Sequence, residues 1–128
     1  MTYYFSKTKK APFEEVTEKV KDELKKEGFG ILTEIDVKET LKKKLDVDFR
    51  KYRILGACNP SFAYKALQAE DKIGTMLPCN VIVQETSEGL TEIAAIDPVA
   101  SMQAVQNPQL IGVAKEIQSK LQRVIQNV

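Results

Sequence analysis

Histidine is absent from this chain, and cysteine occurs only twice. Without an imidazole the chain cannot supply a Ser-His-Asp triad, a Cys-His pair or a histidine metal ligand. Tyrosine, lysine, cysteine and carboxylates remain for chemistry. No constellation of them names a catalytic residue, a metal set, a cofactor or an enzyme class. Two cysteines are too few for a disulfide framework. The first residues, MTYYFSKTKK, lack an apolar run with a cleavage site. No stretch approaches the ~20 apolar residues needed to cross a bilayer. The expected location is therefore the cytoplasm, where thiols are kept reduced. There is no glycine-rich phosphate loop after the first predicted strand, no repeat, no linker and no low-complexity segment. Charge is nearly balanced, with 19 basic and 18 acidic side chains and a net charge of +1. No global field or basic stripe draws the protein to nucleic acid or anionic lipid.

What is present suits one domain spanning residues 1–128, since 43% of the residues are apolar and one core needs no staples. Tyr3 and Phe5 alternate with polar neighbours and predict a strand over 2–8. Phe13, Val16, Val20 and Leu24 fall at helical spacing after Pro12 and predict a helix over 12–27, stopped by Gly28. Phe29, Ile31, Thr33, Ile35 and Val37 mark every second position, as in a strand with one buried face. Val37, Leu41 and Leu45 then predict a short helix that Asp36 caps, its Lys42, Lys43 and Lys44 forming a solvated face. Tyr52 to Ala57 reads as a strand, Pro60 opens a helix over 60–69, and residues 71–78 read as a loop. A hairpin follows, Asn80 to Glu85 and Leu90 to Ile96, turning at Ser87-Glu88-Gly89. Asp97-Pro98 and Asn107-Pro108 repeat the cap-and-proline signal, and the second opens a last helix striped by Leu110, Val113, Ala114, Ile117, Leu121, Val124 and Ile125. The order β-α-β-α-β-α-β-β-α favours an α+β fold, a largely antiparallel sheet with helices packed on one face.

The dipeptide Cys-Asn occurs twice, as Cys58-Asn59 and Cys79-Asn80, each at a predicted strand end beside a turn. If the two strands are antiparallel neighbours, both thiols lie at one edge of the sheet. Cys58 also precedes a helix N-terminus, where free N–H groups and the dipole stabilise an anion. Three ligand chemistries follow for Cys58, Asn59, Cys79 and Asn80. One is a dithiol that cycles through a disulfide. The next is a soft-metal site aided by Met76 or Met102. The last is an anion pocket aided by Arg53 or Lys65. A structural reading stands beside them, because free cysteine is among the most buried residue types. Asn59 is then a helix cap, Asn80 a turn residue, Asp97 an N-cap, and Tyr64 packs on the sheet.

The segments from Gly28 to Val37 and from Tyr52 to Pro60 form part of a recognisable pattern. With Ile73-Gly74, Leu77-Pro78-Cys79-Asn80-Val81 and Asp97-Pro98, in order along nearly the whole chain, they resemble the domain of unknown function 302 family. The resemblance implies an antiparallel sheet with helices on one side, in the broad class of TATA-binding-protein-like folds, and a homodimer. It carries no catalytic residue. The expected function is a binding module with its pocket around the two Cys-Asn motifs, taking a small anion, a thiol-reactive compound or a soft metal. A thiol/disulfide redox enzyme and a structural or interaction homodimer without a ligand are the alternatives.

Overall fold

The architecture was obtained as a computed structural model, which describes residues 2–128. Its elements, in chain order, are β1 (Tyr4–Lys9), α1 (Phe13–Lys26), β2 (Gly30–Asp36), α2 (Val37–Leu45), β3 (Tyr52–Cys58) and α3 (Pro60–Ala69). After a 3-10 turn at Ile73–Met76 come β4 (Cys79–Ser87), β5 (Leu90–Ile96), the short α4 (Pro98–Ser101) and, past a second 3-10 turn, α5 (Pro108–Asn127). The strands form one five-stranded sheet in the order β1-β5-β4-β3-β2, every pairing antiparallel. The α+β class and the antiparallel sheet expected from the sequence are therefore present.

β1 and β2 lie at opposite edges of the sheet, and α1 carries the chain between them. A helix of 14 residues reaches about 21 Å, comparable with the ~19 Å of four strand spacings. Phe13, Val16, Val20 and Leu24 are all buried, as their spacing requires. Glu14 and Glu15 sit in the first turn and Lys25 and Lys26 in the last, in line with the helix dipole. Gly28, at φ +86°, ends the helix: its N–H donates to the Lys25 carbonyl and that of Phe29 to the Leu24 carbonyl. This is the Schellman arrangement, which needs a left-handed residue at that place. α5 packs beside α1 and buries Leu110, Ala114, Ile117, Leu121, Val124 and Ile125. Together the two helices cover Leu55, Ala57, Val81, Val83, Ile93 and Ala95 of the central strands.

The caps follow the sequence signals at three helices. Asp36 accepts from the Glu39 N–H at 3.0 Å, Asp97 from those of Val99 at 3.0 Å and Ala100 at 3.4 Å, and Asn107 from that of Gln109 at 3.0 Å. The β4–β5 hairpin turns at Gly89, φ +78°.

One expectation fails at the β2 edge. The alternation from Phe29 to Val37 does not bury one face. The register slips between Ile31 and Thr33, so Ile31 opposes Ala57 on the helix side while Thr33 opposes Gly56 on the other. Leu32 is left in the bulge at 65% exposure, and Ile35 emerges on the uncovered face at 45%. A one-residue shift exchanges the faces of everything after it. α2 forms over the expected residues with the Asp36 cap, leaving Val37 and Leu41 half-buried and Leu45 in solvent.

Gly56 ties this edge to the centre of the sheet. A Cβ there would collide with the Thr33 hydroxyl and come within 2.9 Å of the Pro78 ring. Replacing Gly56 by Ala is expected to lower stability by about 1–3 kcal/mol, measured by chemical denaturation; an unchanged midpoint would contradict the close packing.

Candidate functional site

One end of the sheet gathers the C-terminal ends of β3 and β5 and the starts of β2 and β4. Cys79 opens β4 directly opposite Ala57, so its side chain shares the helix-covered face. Cys58 is the next residue of β3 and pairs with Gly30. The antiparallel pairing of β3 and β4 thus brings the two cysteines to one sheet edge; neither is in a disulfide.

α3, α5 and α4 close over this end and leave a cavity of about 220 Å³. Its floor is Ala57, Cys79 and Pro78, which follows a cis Leu77–Pro78 bond. Phe62, Ala63 and Ala66 of α3 form one wall, and Val113, Ala114 and Ile117 of α5 another. Phe29, Leu32, Pro98 and Met102 complete the lining, Phe29 from the buried core and Leu32 as an exposed side chain. Among the described residues no charged side chain lines it. The space exists because α3 presents alanines where a larger residue would fill it.

The four residues singled out by the Cys-Asn repeat do not stay together. Cys58, Asn59 and Cys79 line the cavity. Asn80 instead lines a separate depression on the uncovered face of the sheet, with Tyr52, Ile82, Gln84, Glu92 and Ala94. Successive strand residues point to opposite faces, so Cys79 and Asn80 cannot share a site. Asn59 occupies the cap position of α3 but makes no capping bond with its side chain. Its Nδ2 donates to the Glu27 carbonyl at 3.3 Å, and Gly28, 3.2 Å from that nitrogen at a notional Cβ, leaves it room. Asn59 therefore clamps the start of α3 to the end of α1.

Other sequence candidates fall away from the cavity. Arg53 pairs with Glu34 at 3.2 Å and Glu14 at 3.4 Å, holding α1 to the β2 edge. Lys65 lies over the Phe62 ring at 5.2 Å, outside the lining. Tyr64 was expected to pack on the sheet, yet it is 64% exposed, because it lies on the side of α3 opposite Ala66. Met76 is also exposed, whereas Met102 is part of the wall. Asp97 works as a cap and also accepts from Gln118 Nε2 at 3.0 Å. Phe62, Ala63 and Ile117 were not foreseen as site residues. Their only sequence mark is helical spacing, which reads as core.

Burial, and after it the neighbouring Cys58, push the Cys79 thiol up to about 11. It is neutral at physiological pH, and a neutral thiol is a poor nucleophile and a poor metal ligand. No group of three or more His, Cys, Asp or Glu suited to a metal ion occurs among the described residues. No helix among them is long and apolar enough to cross a membrane.

A family model described as "Domain of unknown function DUF302" matches residues 5–128. The fold is similar to a solved structure titled "Crystal structure of uncharacterized conserved protein DUF302 from Bacillus stearothermophilus". That protein is 28% identical, with a TM-score of 0.91, over 99% of this chain and 98% of that one. No curated protein matches the chain.

At pH 8, with its pKa near 11, about one Cys79 thiol in a thousand is ionised. Iodoacetamide should therefore label Cys79 slowly in the native protein, with the rate climbing toward pH 11, as followed by mass spectrometry. The shift also has a stability sign: it costs nothing below the ordinary thiol pKa and destabilises the fold as pH rises from there toward 11. Rapid labelling of Cys79 at neutral pH would contradict its burial as a neutral thiol.

Proposed function

The chain belongs to the DUF302 family, and from that premise we propose that it is a binding module for a compact, largely apolar small molecule, received between α3, α5 and the sheet end. The observation that carries this reading is the 220 Å³ cavity without a charged wall. For scale, an engineered apolar cavity of about 150 Å³ stays dry and binds benzene.

The wall chemistry ranks the ligand classes. An anion would meet no cation, since Arg53 is committed to Glu14 and Glu34. Burying it there unpaired would be costly. A soft metal would have two thiols, one held neutral, and a thioether. A redox cycle would have to start at Cys58, since the raised pKa keeps Cys79 from being the attacking thiolate at neutral pH. An apolar ligand needs none of these and gains from every surface it buries.

Binding of benzene or indole should raise the melting temperature by several degrees, since ligand at a hundredfold excess over Kd stabilises by about 2.7 kcal/mol. Ala63→Phe, which puts a ring into the space, should remove that shift and keep a cooperative transition. An equal shift in the variant would contradict the assignment of the cavity.

A second reading, self-association, is favoured by the uncovered sheet face. Ala94, Ile82, Ile54 and Ile35 oppose one another in a row across four strands. Tyr3 and Tyr4 extend the apolar surface at 64% and 39% exposure. A contiguous apolar face of this kind marks an interaction surface, and a second copy of the chain is the occupant proposed here. Sedimentation velocity should give a dimer, and Ile54→Lys a folded monomer. A monomeric wild-type protein at micromolar concentration would overturn the self-association reading.

A further inference from the structure

A second cavity, of about 460 Å³, lies on the other side of Met102, between the segment after α4 and the start of α5. Met102 and Ala114 line both spaces. Val99, Leu110 and Ile111 supply its apolar surface, while Gln103 and Gln106 bring amides to it and Asn107 lines it with its own amide bonded to the Gln109 N–H and the Ala69 carbonyl. Like the first, it has no charged side chain in its lining among the described residues.

The partition between the two is slight. The Met102 backbone is held by its N–H to the Pro98 carbonyl and by its carbonyl to the Val105 N–H, both at 3.1 Å. Its side chain is an unbranched thioether with three rotatable bonds, the residue best able to swing aside without moving the backbone. Ala114 contributes only a methyl group. The second space, at about 460 Å³, already lies within the ~300–1,000 Å³ typical of small-molecule sites, and the 220 Å³ of the first extends it on the apolar side.

We infer that the two cavities form one elongated site gated by Met102, and that its ligand is a single-chain amphiphile with an uncharged polar head. The inference rests on the cavity reading above and specifies its substrate class. The alkyl chain occupies the space beside Cys79 and passes Met102 and Ala114. The head, an alcohol or amide, lies beside the glutamine side chains of the second space. A carboxylate or phosphate head would meet no cation there.

Straight-chain 1-alkanols from butanol to dodecanol, titrated calorimetrically into the full chain, test this. Affinity should rise about fourfold per added methylene without a break through decanol, at one ligand per chain. Carboxylates of the same length should bind more weakly at pH 8. Met102→Phe, which thickens the partition, should stop the rise for the long alkanols, read as a break in the slope of affinity against chain length and not as the affinity of any one alkanol. If affinity levels off at the short alkanols in the wild-type protein, the gated site is wrong and the single cavity stands. If carboxylates bind more tightly than alkanols, the uncharged-head assignment is wrong. If no alkanol binds, both the extension and the cavity reading fail.

Discussion

The antiparallel register of β3 on β4 is the constraint from which the site follows. Setting Leu55 against Val81 and Ala57 against Cys79 points two pairs of side chains into the helices and ends the ladder where α3 departs. Gly56 permits this by having no side chain where the Thr33 hydroxyl and the Pro78 ring converge. The twenty residues between β3 and β4 (59–78) then fold back as α3 and a 3-10 turn. Asn59 anchors the first turn of α3 to the Glu27 carbonyl. The cavity is the space left when small residues of α3 meet α5 above that strand end.

The two faces of the sheet have different fates. One is sealed by α1 and α5 with a core of Val20, Leu24, Leu55, Val81, Ile93 and Leu121, each fully buried. The other carries no such layer, and the bulge at Leu32 adds Ile35 to it. The same bulge leaves Leu32 in the cavity lining. A single register slip at the sheet edge thus shapes both the candidate pocket and the candidate self-association surface.

Most of the fold was legible in the residues. The stripes of α1 and α5 are long enough for their period to dominate, and Asp36, Asp97 and Asn107 cap by local chemistry that no tertiary contact overrides. The bulge was not legible, because Ile31, Thr33 and Ile35 satisfy a period of two whether or not Leu32 is paired. α2 forms where Val37, Leu41 and Leu45 mark a stripe and Asp36 caps it, though the stripe alone does not show that Leu45 stays exposed. Of the repeated Cys-Asn dipeptide, strand pairing places Cys58 and Cys79 at one sheet end, whereas Asn80 faces the other side of the sheet. Strand alternation separates the members of the second dipeptide, while Asn59 escapes alternation because it already belongs to the helix start. The apolar character of the pocket was illegible, since it depends on Phe62, Ala63 and Ile117, which no motif distinguishes from core.

The central claim is that the space beside Cys79 is dry and apolar and open to an apolar guest. A crystal of the protein pressurised with xenon tests it most directly. The account predicts xenon density bounded by Ala57, Phe62, Ala63, Cys79 and Ile117. Ordered waters hydrogen-bonded to the cysteine sulfurs in that space, with no xenon, would contradict it.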